Sequence, residues 1–222
     1  LTMTGTTVPS WLTFDATTGV LSGTPLNANV GDNSVVITVG DGTTTVTDSF
    51  TITVANTNDA PTITSTAVTA ATEDSAYTYT STASDVDAGD TLTAAGTTVP
   101  SWLTFTASTG VLTGTPTNAE VGSHAVVITA TDASGATATD SFTIVVANTN
   151  DAPTVTSTAV TSATEDSAYT YTVTASDVDV GDTLTMTGTT VPSWLTFDAT
   201  TGVLSGTPLN ANVGDNSVVI TV

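Results

Sequence analysis

The sequence predicts an all-β chain built of tandem Greek-key β-sandwiches, about seven strands per unit. Three observations predict it. Apolar residues fall on every second position in short runs rich in threonine and valine; turn residues recur every 8 to 15 positions; and a segment of about 92 residues repeats along the chain.

The repeat comes first because it sets the frame. Val-Pro-Ser-Trp-Leu-Thr-Phe begins at Val8, Val99 and Val191, spacings of 91 and 92 residues. The odd residue falls in a turn, the one that holds Asp41 in one copy and Asp132 in the next: Val39 stands 91 residues before Ala130, and Phe50 stands 92 before Phe142. A turn that varies in length while the flanking strands keep register is what a sandwich tolerates, and a unit of this size is close to the ~100 residues of an immunoglobulin-like sandwich.

Within the unit, Tyr77-Thr-Tyr79, Val126-Val-Ile128-Thr-Ala130 and Phe142-Thr-Ile144-Val-Val146 alternate apolar and polar positions, and Phe50-Thr-Ile52-Thr-Val54 does so most cleanly. One face is therefore core and one is wet, which requires antiparallel sheets. Turns are expected at Ala88-Gly89-Asp90, Ser108-Thr109-Gly110, Gly114-Thr-Pro116, Val121-Gly122 and Ser134-Gly135. No window carries helical spacing over three turns, and the abundance of β-branched threonine favours strands further.

Asn-Thr-Asn-Asp-Ala-Pro occurs at Asn56 to Pro61 and at Asn148 to Pro153, each time between two strand patterns. Asparagine and aspartate favour turns, and the closing proline restricts the backbone, so each copy reads as a short, stiff linker that carries oxygen donors. The expected division is residues 1–58, the C-terminal part of a repeat; 59–150, a complete repeat; and 151–222, the N-terminal part of a third. Residues Leu1 to Val39 are identical to Leu184 to Val222. The expectation is a window of a longer array in which two slightly different repeats alternate.

Composition narrows the partners. The chain has 21 acids, one histidine, and no lysine, arginine or cysteine, for a formal charge of −21. Phosphate recognition runs on lysine and arginine, so nucleic acid is excluded and anionic membrane surfaces are disfavoured. Clustered carboxylates have no internal cation to pair with, which leaves metal ions as the obvious neutralisers. With 39% apolar and 9% charged residues the chain holds enough apolar surface to fold. No apolar run approaches the roughly 18 residues of a spanning helix, and an export signal is expected outside this chain.

The acids recur at fixed places: Glu73-Asp74 and Glu165-Asp166; Asp85-Val-Asp87-Ala-Gly-Asp90 and Asp177-Val-Asp179-Val-Gly-Asp182; Asp59 and Asp151 in the linkers; Asp132 or Asp41 before the last strand. Ca²⁺ takes six to eight oxygens from several carboxylates with carbonyls and amides, and these residues supply such a set.

The combination resembles the cadherin repeat: Asn-Asp-x-Pro at the unit boundary, a glutamate near the first strand, Asp-x-Asp after the second, Ala-x-Asp before the last. Trp-Leu-Thr-Phe-x-x-x-Thr-Gly-Val-Leu-x-Gly-Thr-Pro is similar to the dystroglycan-type cadherin-like, or immunoglobulin-like, modules of giant bacterial surface proteins. The resemblance implies Ca²⁺ at the boundary between successive repeats. At the second boundary the matching ligands are Glu73 and Glu120 from the upper repeat, Asn150 and Asp151 from the linker, and Asp177 and Asp179 from the lower repeat. At the first they are Asn58, Asp59, Asp85, Asp87 and Asp132. The chain also departs from the cadherin pattern. Thr117-Asn118-Ala119-Glu120 stands where cadherins have Asp-Arg-Glu, and Asn29 and Asn212 replace the acid in the other copies. Asn56 and Asn148 open the linker in place of an acid, and Ala60 and Ala152 replace its second asparagine. Fewer ions than the three of a full cadherin boundary are therefore expected, with Asp151 the first place to look.

Other residues offer less. Trp11, Trp102 and Trp194 could stack on sugars, but alternation of the neighbouring leucine and phenylalanine makes packing the better reading. His124 stands alone in one copy and reads as a solvated strand residue. Nucleophilic catalysis lacks partners, with no cysteine, no second histidine and no lysine. The leading expectation is a non-enzymatic segment of an extracellular bacterial adhesin stalk or surface filament, whose sandwiches are stiffened by Ca²⁺. The alternatives are a polysaccharide-binding module and a self-assembling fibre in which like chains associate.

Overall fold

The alternation seen in the sequence becomes strand in every copy. A computed structural model describes the whole chain, Leu1–Val222. The first repeat supplies β1 (Thr2–Thr7), β2 (Leu12–Asp15), β3 (Val20–Gly23), β4 (Gly31–Gly40) and β5 (Thr45–Val54). The second supplies β6 (Thr62–Ile63), β7 (Ala70–Thr72), β8 (Tyr77–Thr80), β9 (Ala83–Ser84), β10 (Thr93–Thr98), β11 (Leu103–Thr106), β12 (Val111–Gly114), β13 (Gly122–Thr131) and β14 (Thr137–Ala147). The third supplies β15 (Thr154–Val155), β16 (Tyr169–Thr172), β17 (Ala175–Ser176), β18 (Thr187–Thr190), β19 (Leu195–Asp198), β20 (Val203–Gly206) and β21 (Val219–Thr221).

In the second repeat one sheet runs β10-β13-β14-β7 and the other β11-β12-β8, with a small β6-β9 pair beside them. The expected seven strands are therefore present, with two-residue β6 and β9 added; strands that short leave no periodicity to read. Pairing is antiparallel except where β14 runs parallel to β7, Val145 opposite Ala70 and Ala147 opposite Thr72. The inner faces are those the alternation marked: Leu112, Val126, Ile128, Ile144 and Val146 are each 2% exposed or less. The variable turn lies where the spacing put it. Asp41 N–H closes a turn on the Thr44 carbonyl at 3.1 Å, and Asp132 N–H closes the longer one on Ala136 at 3.0 Å.

Three short 3-10 turns, Asn27–Asn29, Asn118–Glu120 and Asn210–Asn212, add to the strands the alternation predicts. A single turn of three residues has no periodic signature. Each is closed by its last side chain: Glu120 Oε2 accepts from Thr117 N at 2.8 Å, while in the other copies Asn29 and Asn212 Oδ1 accept from the N–H of Leu26 and Leu209 at 2.8 and 2.9 Å. An amide oxygen does this work as well as a carboxylate oxygen, which accounts for the alternation of acid and amide at this position.

By contact the chain separates into two compact units. The first comprises Leu1–Thr69, Thr78–Gly114 and His124–Ile144; the second comprises Ala70–Tyr77, Thr115–Ser123 and Val145–Val222. The first linker and the Asp85–Asp90 and Asp132 turns lie in the first unit. The second linker, Glu73, Asn118, Glu120 and the Asp177–Asp182 turn lie in the second.

Candidate metal centres

Both linkers are locked to the following repeat by the same bond. Asp59 N–H donates to Asp87 Oδ2 at 2.7 Å, and Asp151 N–H donates to Asp179 Oδ2 at 2.7 Å. The Asp-Val-Asp segments that receive these bonds fold on themselves, Asp87 N–H to Asp85 Oδ1 at 2.9 Å and Asp179 N–H to Asp177 Oδ1 at 3.0 Å.

At the first linker, carboxylate oxygens of Asp85, Asp90 and Asp132 lie within 4.8 Å of one another. Asp132 is fixed by Ser134 and Ala136 N–H on Oδ1, at 2.9 and 2.8 Å, and by the Asn58 amide on Oδ2 at 2.8 Å. The Asn58 amide, with these backbone donors, holds the Asp132 carboxyl below the usual carboxylate range. Asp90 behaves oppositely: burial, then the charges of Asp85, Asp132 and Asp87, push its carboxyl up. Asp85 Oδ2, Asp87 Oδ1 and Asp90 Oδ2 are buried without a hydrogen-bond partner. Unpaired buried carboxylate oxygens are costly, and in a chain with no lysine or arginine a hard cation is the natural counter-ion, so the donor set fits Ca²⁺. Of the residues matched at this boundary, Asp85 and Asp132 come together, and Asp87 joins them through its N–H bond to Asp85. Asp59 contributes its N–H, and its carboxylate accepts from the Asn27 amide at 2.7 Å.

The second linker carries two groups, Glu73 with Asp74 and Asp151, and Asp177 with Asp179 and Asp182, each within 4.8 Å. Glu73 is 2% exposed and accepts from Thr149 N–H at 3.2 Å. Asp74 adopts φ 57°, left-handed and rare outside glycine, which turns its carboxylate to this cluster. Asp179 Oδ1 accepts from the amides of Asn118 and Asn148 at 2.8 and 3.0 Å, and the Asp151 N–H bond leads these in holding its carboxyl below the usual range. Asn150 spends its amide on the Asp151 carbonyl at 2.7 Å, and Glu120 closes its 3-10 turn outside both groups. Asp74, Asp90 and Asp182 are the acids the family pattern left without a role. Their signal was in the sequence, as the second acid of Glu-Asp and the last of Asp-x-Asp-x-Gly-Asp.

The tryptophans are engaged. Trp11 and Trp194 donate Nε1–H to Asn33 and Asn216 at 3.0 Å, Trp194 meets Tyr169 edge-on at 5.9 Å, and Trp102 meets His124 at 5.8 Å. His124 is thus a packing partner, where a solvated strand residue was expected. A groove of about 800 Å³ in the third repeat is lined by the buried Val173 and Leu204 with the half-buried Tyr171 and Trp194, and its acids Glu165 and Asp215 form no cluster.

The sequence matches the family described as Putative Ig domain over residues 1–55, 60–147 and 152–222. The chain belongs to that family. Among solved structures it is similar to the protocadherin gamma-B2 extracellular cadherin domains 1–5, with TM-score 0.59 and 16% identity, covering 94% of this chain and 46% of that one. The protocadherin gamma-B4 extracellular domain gives TM-score 0.53 and 20% identity, covering 96% and 40%. The endo-fucoidan hydrolase MfFcnA4 of glycoside hydrolase family 107 is 29% identical, covering 98% and 36%, with a TM-score of 0.38. The chain thus spans well under two thirds of these structures. No curated protein matches it. The fold is that of tandem Ig-like, cadherin-like repeats. No helix is long and apolar enough to cross a membrane.

Proposed function

We propose that this chain is a non-enzymatic segment of an extracellular stalk or surface filament, with repeats at 1–58, 59–150 and 151–222 stiffened by Ca²⁺ at their boundaries. The observation that carries the reading is the recurrence, at both linkers, of the linker-aspartate N–H bond to Asp87 and Asp179 beside a set of at least three carboxylates. Linker geometry and acid geometry are thereby one structure. Without a cation the carboxylates repel one another; a divalent ion bridging them fixes the linker with them. Extracellular Ca²⁺ modules bind at about 10⁻⁴ to 10⁻³ M, a range that suits an external fluid.

Small-angle scattering of the 222-residue chain in EDTA and then in Ca²⁺ tests this. The reading expects a larger radius of gyration and a narrower distribution of conformations with Ca²⁺. Identical profiles would overturn it.

A further inference from the structure

We propose that Asp90 is a direct ligand of the first-boundary cation, and that the second repeat cages this ion with its own Asp85, Asp87, Asp90 and Asp132 instead of sharing it with the repeat before. The inference rests on the boundary-cation reading above and says which residues hold the ion and which only position them.

The cage is built by a division of labour within each carboxylate. Asp85 commits Oδ1 to Asp87 N–H and leaves Oδ2 buried and unpaired. Asp87 commits Oδ2 to Asp59 N–H and leaves Oδ1 buried and unpaired, in a side chain only 5% exposed. Asp90 leaves Oδ2 buried and unpaired and stands within 4.8 Å of Asp85 and Asp132. Asp132 is oriented by two backbone N–H groups and the Asn58 amide. One oxygen of a carboxylate sets direction while the other is presented, which is how a preformed oxygen site for a hard cation is made.

Asp90 reaches the cluster because Gly89, at φ +95°, folds the turn back so that Asp90 N–H meets the Asp87 carbonyl at 3.3 Å. The four acids carry four formal charges, and nothing in the chain offers a lysine or arginine against them. The preceding linker and repeat touch this cage through donors: Asp59 N–H, the Asn58 amide, and Asn27, which holds the Asp59 carboxylate. Asn27 therefore positions the linker without binding the ion.

Calorimetric titration and native mass spectrometry of the full chain with Ca²⁺ separate the possibilities. Asp90→Asn is expected to bind one ion fewer than the parent, and Asn27→Ala to keep the parental number with affinities within about twofold. Asp182→Asn, the counterpart at the second boundary, is expected to leave the Asp90-dependent ion in place. Circular dichroism of each variant confirms that the strands persist. A parental ion count in Asp90→Asn overturns the proposal while leaving the boundary reading standing, and so does loss of the same ion in Asn27→Ala. If the parent binds no Ca²⁺, the boundary reading fails and this inference with it.

Discussion

Tyr79 shows what a single residue contributes beyond its place in the pattern. The alternation Tyr-Thr-Tyr puts its ring in the core, where it is 4% exposed and meets Phe142 edge-on at 5.2 Å. Its hydroxyl donates to Asp140 Oδ2 at 2.5 Å and shares a contact with Ser65 at 2.7 Å. Burial first, then the Asp140 carboxylate, pushes the Tyr79 phenol up, so it remains a donor. Tyr79→Phe should cost about 1–2 kcal/mol in equilibrium denaturation, because Asp140 then keeps only the long 3.3 Å bond from Ser81. The burial was legible in the sequence; a hydroxyl–carboxylate contact across 61 positions was not. The turn acids make a pH prediction. Thr18 and Thr17 lower the Asp15 carboxyl, and Thr200 and Thr201 lower that of Asp198, while the second repeat has Thr106 at this position. A depressed folded-state pKa contributes stability above the unfolded value near ~3.9 and loses it as pH falls through the folded one. Replacing Asp15 and Asp198 by threonine should therefore lower the melting temperature at neutral pH, flatten the acid side of the profile below about pH 4, and bring variant and parent together at the acid end.

At the scale of elements, the hairpin β11–β12 is unforgiving, as are its counterparts β2–β3 and β19–β20. Leu103 pairs with Gly114, and a Cβ on Gly114 would sit 2.1 Å from the Trp102 carbonyl oxygen, a backbone atom with no room to move. Gly135 differs: its Cβ would enter open space, and only its φ of +94° resists a side chain. Gly114→Ala should therefore destabilise by several kcal/mol or prevent folding, whereas Gly135→Ala should cost about 1 kcal/mol, as read from denaturant midpoints. The contrast marks what the sequence discloses about elements. Both glycines read as turn signals, and the long strands β13 and β14 declare themselves by alternation. That Gly114 lies under a carbonyl depends on how the Val-Pro-Ser-Trp bend crosses the hairpin, which no local pattern records. The acid clusters divide in the same way. Asp85 and Asp87 were legible as a spacing and Asp132 as an acid recurring before the last strand, while the place of Asp90 beside Asp85 and Asp132 depends on the turn at Gly89, and Glu120 was spent on a 3-10 turn that has no periodic signature.

For the whole molecule the governing fact is a charge of −21 with no lysine or arginine to offset it. Two effects of added salt must then be separated. Screening acts on all the acids at once and depends only on ionic strength, with a Debye length of about 10 Å at 0.1 M. Binding acts at the linker clusters and depends on the ion. A boundary site of dissociation constant 10⁻⁴ to 10⁻³ M contributes about 1.4 to 2.7 kcal/mol per ion at 10 mM Ca²⁺, from the logarithm of occupancy over the metal-free state. Thermal melts in 10 mM CaCl₂ should therefore exceed those in NaCl of equal ionic strength, and the excess should shrink in Asp90→Asn. The metal-free form of that variant should melt no lower than the parent, because the substitution removes one of four crowded carboxylates. If NaCl reproduced the whole Ca²⁺ shift, the clusters would be solvated acids and nothing more, and the linkers would owe their geometry to hydrogen bonds alone, those of Asp59 and Asp151 N–H, Asn58, Asn148 and Thr149 among them.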